Sequence, residues 1–366
     1  MSINTANAAQ ATALAGHIIP IVFATNDKFA PYAGVAIQSI LCHTDPARDY
    51  RIYVLHTSVS PAHIAALEGM SAANATVKCL DISETMDTVQ TPLPVLAYFS
   101  EETYYRIFIP ELPELRDYPF VIYLDCDIIV LSDIAGIVPH DMGDKLLAGA
   151  PDHYMNNAKD RKRLARDYQL DAAQYINSGV LVFNVPQWRK ENTARQCFRF
   201  LGDLPQDKFV YMDQDIVNAV CRDRIIFLDE AWNYYWNISR VNKEMVAICK
   251  PVIDRIGNNF HLIHYTSAMK PWCTPNHPRA GYFWRYAGLS PFLEEIIKTN
   301  LVSKAEVERN AVSLRIGLFI TWLPRKVIGG IRCLREHDLG YTLRRVLYHL
   351  GLWEDEEDTL DIYKKG

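Results

Sequence analysis

Short apolar runs bounded by polar turns recur along the chain and alternate with amphipathic stretches. Ile18 to Ala24 (Ile-Ile-Pro-Ile-Val-Phe-Ala) predicts a first buried strand. A polar loop, Thr25 to Phe29, follows it. Pro31 then opens a helix reaching His43, with Val35, Ile37, Ile40 and Leu41 apolar. Tyr50 to Leu55 predicts a second strand. Ser60 as N-cap and Pro61 at the first position predict a helix ending near Gly69. Val77 to Ile82 predicts a third strand. Such alternation is that of an α/β fold with a mostly parallel sheet covered by helices. Further strands are expected at Phe120 to Val130, Lys145 to Ala150, Ile176 to Val185, Ile225 to Leu228 and Phe260 to His264. Helices are expected over Glu101 to Ile109 and over Gln187 to Leu201, the second opened by Pro186. The charged stretch Asp152 to Asp171 predicts a surface helix or a mobile loop.

One apolar run is interrupted. In Phe120-Val121-Ile122-Tyr123-Leu124-Asp125-Cys126-Asp127-Ile128-Ile129-Val130 two carboxylates stand two residues apart. In an extended chain that spacing puts both on one face. Burying them unpaired would cost several kcal/mol or more, an order-of-magnitude expectation for buried charge. Either the pair sits at a strand's C-terminal end, where ligands of open α/β sheets bind, or a cation neutralises it. A divalent cation holding a phosphate-bearing substrate meets both conditions. The plain alternative is a strand followed by a polar turn. His261 and His264 close the last apolar run and face opposite sides, so only one of them enters a given site. Two carboxylates and one imidazole make a donor set suited to a borderline metal such as Mn²⁺.

Other polar positions have two readings each. Arg106 is either an exposed charge or a clamp on an anionic or hydroxyl-rich ligand. Asp213-Gln214-Asp215 precedes Ile216, Val217 and Val220. Asp213 is a good N-cap; otherwise the triplet presents Gln214 or Asp215 to a substrate. Trp232-Asn233-Tyr234-Tyr235-Trp236-Asn237 suits a sugar, by stacking and amide hydrogen bonds, or forms an aromatic mini-core.

Composition narrows the class. The chain has 366 residues, is 49% hydrophobic and carries a net charge of −5. That length fits one large α/β domain with an appendage, or two domains. No global basic field points to nucleic acid. The eight cysteines are scattered without a C-x-x-C pair, which argues against zinc and for a reducing, cytoplasmic compartment. Residues 1–17 have no signal-peptide pattern and are expected to be a flexible leader. No apolar run reaches the ~18 residues of a membrane span.

Beyond residue 290 the pattern changes. Basic residues between Arg309 and Arg335 interleave with Leu314, Ile316, Leu318, Phe319, Ile320, Trp322 and Leu323, and no acid occurs among them. Basic amphipathic helices of this kind suit an anionic membrane surface; the alternative is a helix packed on the domain. The acidic run Glu354 to Asp358 is expected to be solvated or to mask the basic patch.

Several motifs in order carry a resemblance. They are Ile21-Val22-Phe23-Ala24-Thr25-Asn26-Asp27, Thr103-Tyr104-Tyr105-Arg106, Tyr123-Leu124-Asp125-Cys126-Asp127, Asn177-Ser178-Gly179-Val180, Asp213-Gln214-Asp215, and His264-Tyr265 with Lys270-Pro271-Trp272. Over roughly residues 18–285 the chain resembles glycosyltransferase family 8, which includes lipopolysaccharide galactosyl- and glucosyltransferases and the glycogenins. The resemblance implies the GT-A fold, a UDP-hexose donor, Mn²⁺ (Mg²⁺ being the alternative) and transfer with retention at the anomeric carbon. It implies a catalytic domain over 18–290; residues 291–366 lie outside the resemblance and are expected, from their own pattern, to be a basic helical appendage with an acidic tail. By it, Asp125, Asp127 and His264 would ligate the metal. Ala24, Asn26, Asp27 and Phe29 would surround the uracil, the Cys126 backbone would lie near the donor, and Lys270 would contact the diphosphate. Arg106, Asp152, Asn177, Asp213 and Gln214 would line the sugar. The chain departs from relatives at Asn26, where an acid is common, and at Ser267-Ala268, where Gly-Pro is usual.

This implied reading makes the protein a hexosyltransferase whose acceptor is lipopolysaccharide core or another membrane-linked glycan, acting peripherally at the inner face of the membrane. Gln214, an amide and a poor nucleophile, would hydrogen-bond or stabilise positive charge while the acceptor attacks on the leaving-group side. Two other readings compete: a nucleotidyltransferase of related fold, and an inactive membrane-surface glycan-binding scaffold.

Overall fold

The structure is a computed structural model and describes residues 18–89, 93, 101–205, 208–235, 243–266, 269–274 and 277–300. The chain divides into two compact units that part between His264 and Tyr265. The basic segment, the acidic run and the leader all lie outside the described residues, as do Trp236 and Asn237. Among the described residues no helix is long and apolar enough to cross a membrane.

The first unit is built on strand β1 (Ile18–Ala24), helix α1 (Ala30–Leu41), β2 (Asp49–His56), α2 (Pro61–Glu68), β3 (Ala75–Asp81), α3 (Ser83–Asp87) and α4 (Glu102–Phe108). Next come β4 (Phe120–Leu124), β5 (Ile128–Val130), β6 (Leu147–Pro151), α5 (Ala158–Tyr168) and β7 (Ile176–Asn184). It closes with α6 (Val185–Lys190), α7 (Thr193–Asp203), α8 (Asp213–Val220), β8 (Ile225–Phe227), α9 (Lys243–Ile256) and β9 (Leu262–His264). The expected start of α2 holds: the Ser60 hydroxyl accepts from the His63 amide and Pro61 takes the first position.

Seven strands form one sheet in the order β3-β2-β1-β4-β7-β6-β8. Pairs β1–β2, β1–β4, β2–β3 and β6–β8 are parallel; β7 runs antiparallel to both β4 and β6. β1 and β4 are apolar throughout because both faces are covered, and β4 and β7 are buried at every position, β7 carrying Asn177, Ser178 and Asn184 towards its ends. From β1 the chain winds outward through β2 and β3, then returns to β4 on β1's other side. The carboxyl ends of β1 and β4 therefore flank the switch in winding direction, where open α/β sheets leave a crevice.

Three expectations need correction. Phe120 to Val130 is not one strand: it breaks at Asp125–Asp127, and β5 leaves the main sheet to pair antiparallel with β9. Burial explains this, since two carboxylates could not continue inside the sheet. Gln187 to Leu201 is not one helix: Asn192 takes a left-handed conformation (φ 54°) between α6 and α7. Asn tolerates that conformation better than most residues. Asp213 is not an N-cap. Met212 precedes the helix at φ 43°, and Asp213 is its first residue, with its side chain turned elsewhere.

The charged stretch at 152–171 is only half exposed. Within α5, Asp160 and Arg163 are buried. Arg163 pairs with Asp160 at 3.2 Å and with Asp215 at 2.9 Å. Asp215 also accepts from the Tyr175 hydroxyl at 2.6 Å and from the Val210 and Tyr211 amides at 3.0 Å. This buried network, in which only Arg163 Nη2 lacks a hydrogen-bond partner, ties α5, the entry to β7 and the start of α8 together.

Candidate active site

The sequence places Asp125 one residue past the end of β4. Its amide donates to the Gly179 carbonyl on neighbouring β7 at 2.8 Å, which fixes its backbone at the sheet edge. Its Oδ1 accepts from the Tyr123 hydroxyl at 2.7 Å and from Arg106 Nη2 at 3.1 Å. Tyr123 and Asp125 share a face because they are two apart on an extended chain. Three residues on, β5 begins, and its pairing puts Ile128 opposite His264. That register brings Asp127 beside the imidazole. His264 Nε2 lies 3.1 Å from Asp127 Oδ1 and 3.6 Å from Asp125 Oδ2.

Asp125, Asp127 and His264 each offer a ligand atom, and these atoms lie within 4.8 Å of one another. Two carboxylate oxygens and an imidazole nitrogen form a donor set for a divalent metal ion. The space they face exists because residue 179 is glycine. A Cβ there would stand 2.2 Å from His264 Cε1 and 2.6 Å from Asp125 Oδ2. On both counts the residues fit a metal ion.

Arg106 organises the next layer. It projects from α4 and is buried, with its guanidinium 4.4 Å over the Tyr123 ring. Nη1 donates to the Ser178 carbonyl at 2.5 Å and its hydroxyl at 3.1 Å. Nε lies 3.1 Å from Asp213 Oδ2, but its N–H is aligned on the Thr103 carbonyl at 2.9 Å. The Asp213 contact is therefore an ion pair without a directed hydrogen bond. Burial pushes the Asp213 carboxyl up to about 6, although the Arg106 charge pulls the other way. Neighbouring Asp125 and Asp213 also raise the Arg106 guanidinium, so it stays charged. The exposed-charge reading of Arg106 falls.

A chain of amides continues from there. Gln214 Oε1 accepts from Asn177 Nδ2 at 3.1 Å and from the Ser178 amide at 3.0 Å. Gln214 Nε2 donates to Asp152 Oδ2 at 3.1 Å. Asp152 Oδ1 accepts from the Tyr235 hydroxyl at 2.9 Å. Burial raises the Asp152 carboxyl, opposed by these donors. The structure thus gathers Arg106, Asp125, Asp127, Asp152, Asn177, Asp213, Gln214 and His264 around one end of the sheet. Asp215 is not among them; it belongs to the α5 network.

At the end of β1, Ala24 is buried and its carbonyl accepts from Cys126 Sγ at 3.2 Å. The thiol thus points away from the two aspartates, and burial pushes its pKa up. Asn26 Oδ1 accepts from the Phe29 amide at 3.1 Å, closing the turn into α1. Asp27 Oδ1 lies 2.7 Å from both the Ser60 amide and His63 Nδ1, which hold its carboxyl below the usual range. Phe29 packs edge-on to Tyr32. In the second unit, Lys270 Nζ donates to the Tyr265 carbonyl at 2.6 Å, and Trp272 packs on Phe283 of α10 (Ala280–Ala287).

Sequence reasoning missed Tyr123, Ser178, Gly179, Asn233 and Tyr235 as participants. Tyr123 carried a signal in its i, i+2 relation to Asp125. Asn233 and Tyr235 lay in the aromatic and amide stretch, of which Trp232 and Tyr234 do form a mini-core. Tyr234 stacks on Phe260 at 4.8 Å and Trp232 on His261 at 4.5 Å.

A family model, Glycosyl transferase family 8, matches residues 20–274. The chain belongs to glycosyl transferase family 8. Its enzymatic class is therefore that of a glycosyltransferase. General stress protein A of Bacillus subtilis (strain 168) is 26% identical over 275 residues, covering 74% of this chain and 93% of that protein. Lipopolysaccharide glucosyltransferase WaaO of Escherichia coli (strain K12) is 26% identical over 204 residues, covering 55% and 56%. The apo bifunctional glycosyltransferase WbbM superposes with a TM-score of 0.67 at 27% identity. The match covers 78% of this chain and 52% of that one, so this family 8 chain spans about half of it. The galactosyltransferase LgtC, solved with donor and acceptor sugar analogs, gives a TM-score of 0.58 at 22% identity, covering 75% and 96%. These neighbours share the GT-A fold, as the resemblance implied.

Proposed function

We propose that this glycosyltransferase moves a hexose, glucose or galactose, from a UDP-sugar to a glycan or glycolipid acceptor, with retention at the anomeric carbon. The observation that carries the proposal is the convergence at one sheet end of a two-carboxylate, one-imidazole cluster with the Arg106–Asp213 pair and the Asn177–Gln214–Asp152 chain. Asp125, Asp127 and His264 would hold Mn²⁺. When bound there, a divalent cation supplies positive charge for the phosphates of departing UDP without any proton transfer. Electrostatic stabilisation of this kind is often the largest catalytic contribution, about 3 kcal/mol for one contact.

The chain's own groups do the rest. Lys270 would add a second cation to the diphosphate. Ala24, Asn26, Asp27 and Phe29 would receive the uracil, on a turn braced by Asn26 Oδ1 and by the Asp27 contacts to α2. The Cys126 backbone would border the donor. Asp213 and Arg106 would orient the hexose, with Asp152 and Asn177 beside them. Gln214 Oε1 is engaged by two N–H donors, and an amide oxygen so occupied is a poor nucleophile. That supports a sugar-orienting role for Gln214 and attack by the acceptor on the leaving-group face, rather than a covalent glycosyl-enzyme.

A membrane-linked acceptor, met at the cytoplasmic face through the basic segment beyond residue 300, is proposed from that segment's sequence and from the relative named for lipopolysaccharide glucosyl transfer. The test is hydrolysis or transfer from a panel of UDP-sugars. UDP-glucose or UDP-galactose should be consumed with Mn²⁺ and spared with EDTA. Failure to bind or consume any UDP-sugar would overturn the proposal and favour a scaffold role.

A further inference from the structure

Asn233 is fully buried in a 3₁₀ turn (Glu230–Asn233) and lies between the metal cluster and the sugar-facing amides. Its Oδ1 is 2.9 Å from His264 Nδ1, and its Nδ2 donates to Asn177 Oδ1 at 2.9 Å. Asn177 Oδ1 also accepts from the Gly179 amide at 3.0 Å.

The orientation of every amide in this chain follows from backbone groups that can only donate. The Ser178 N–H requires an oxygen from Gln214, so Gln214 Oε1 faces it and Asn177 must present Nδ2 to that oxygen. The Gly179 N–H independently requires Asn177 Oδ1. Asn233 must then donate to Asn177 through Nδ2, which leaves its oxygen toward His264. An amide oxygen only accepts, so His264 Nδ1 carries the proton. In the neutral ring Nε2 is then bare. It faces Asp127 Oδ1 at 3.1 Å and Asp125 Oδ2 at 3.6 Å, a lone pair among carboxylates that a cation between them would resolve.

We infer that Asn233 is the positioning residue of this centre. It selects the His264 tautomer that presents Nε2 to the metal ion, and it links that ligand to the Asn177–Gln214–Asp152 chain beside the sugar. The inference rests on the proposed metal and donor site. Partners that fix a ligating histidine are typically worth 10- to 100-fold in metal affinity.

Two variants separate the two bonds. In Asn233→Asp a carboxylate oxygen still accepts from His264 Nδ1 but cannot donate to Asn177 Oδ1. In Asn233→Leu both bonds are lost. Mn²⁺ titration of the donor-free protein by calorimetry is the first readout; kcat and KM for UDP-sugar hydrolysis are the second, with thermal melting as the folding control. Asn233→Asp should keep Mn²⁺ affinity within about threefold and lower kcat at least tenfold. Asn233→Leu should weaken Mn²⁺ binding by about 10- to 100-fold. Asn233→Asp losing Mn²⁺ affinity as far as its kcat, or a folded Asn233→Leu binding Mn²⁺ like the wild type, would overturn the inference and leave the proposed function standing. Wild-type protein that binds no Mn²⁺ would overturn both.

Discussion

Gly179→Ala asks the most of the proposed metal centre, because it adds one methyl group and removes no polar atom. The new Cβ would stand 2.2 Å from His264 Cε1. Carbon atoms meet at roughly 3.5 Å, so something must move by about 1.3 Å. The Gly179 end cannot retreat easily. Its carbonyl holds the Asp125 amide and its own amide is held by Asn177, inside a strand buried at every position. The imidazole must therefore shift or turn, yet metal–ligand distances tolerate only about 0.2 Å. The same Cβ lies 2.6 Å from Asp125 Oδ2, so a second ligand is pushed as well. We expect Mn²⁺ affinity to fall at least 100-fold, about 2.8 kcal/mol at 1.4 kcal/mol per decade. Stability should fall by no more than that. Overpacking costs about 1–3 kcal/mol, and the stiffer unfolded chain returns about 0.4–1 kcal/mol. Calorimetric titration of Mn²⁺ into the purified variant, beside its melting curve, measures both. A folded Gly179→Ala protein with wild-type Mn²⁺ affinity would refute the geometry on which the centre is built.

Three further outcomes are expected. Gln214→Ala leaves Asn177 Nδ2 and the Ser178 amide without their shared acceptor, at a cost of about 1–3 kcal/mol in denaturant melts; turnover should collapse, and near-normal turnover would end any essential role for Gln214. Asp215→Ala leaves Arg163 without one of its two buried partners and should cost about 3–5 kcal/mol; an unchanged unfolding midpoint would contradict the network. Asp213 has its folded-state pKa raised from 3.8 to about 6, so the native protein binds the extra proton and this group's contribution is full below pH 3.8 and lost as pH rises through about 6. Denaturant melts across pH 4 to 8 should show that decline in the wild type and not in Asp213→Asn; parallel pH profiles would refute the assignment.

The order of strands and helices was legible because both faces of the sheet are covered. That makes β1 and β4 read as unbroken apolar runs, and Pro31, Ser60 and Pro61 mark helix starts by local chemistry. What was not legible depended on events between elements. Nothing in Phe120 to Val130 announces that the chain changes sheets after Asp127, because the partner strand β9 lies more than 130 residues away. The break at Asn192 was equally hidden, since a single residue at positive φ leaves the apolar periodicity on either side intact.

Asp213-Gln214-Asp215 shows where residue-level reading ends. Three polar residues open one helix, and successive positions on a helix point about 100° apart. They therefore cannot share a task. Asp213 meets Arg106, Gln214 meets Asn177 and Asp152, and Asp215 turns to Arg163 and Tyr175. Sequence alone fixes that the three diverge, not which acid reaches the site. The choice is made by what packs around α8. The α5 helix supplies a buried arginine on one side, and the strand end carrying Ser178 and Asn177 supplies amides on another. Reversing the roles would put Asp213 against solvent-excluded tyrosines and leave Arg106 beside the proposed metal centre with Asp125 alone to balance it. On the proposed function the same helix would serve stability with one carboxylate and chemistry with the other, and replacing each in turn should separate the two in measured unfolding and measured turnover.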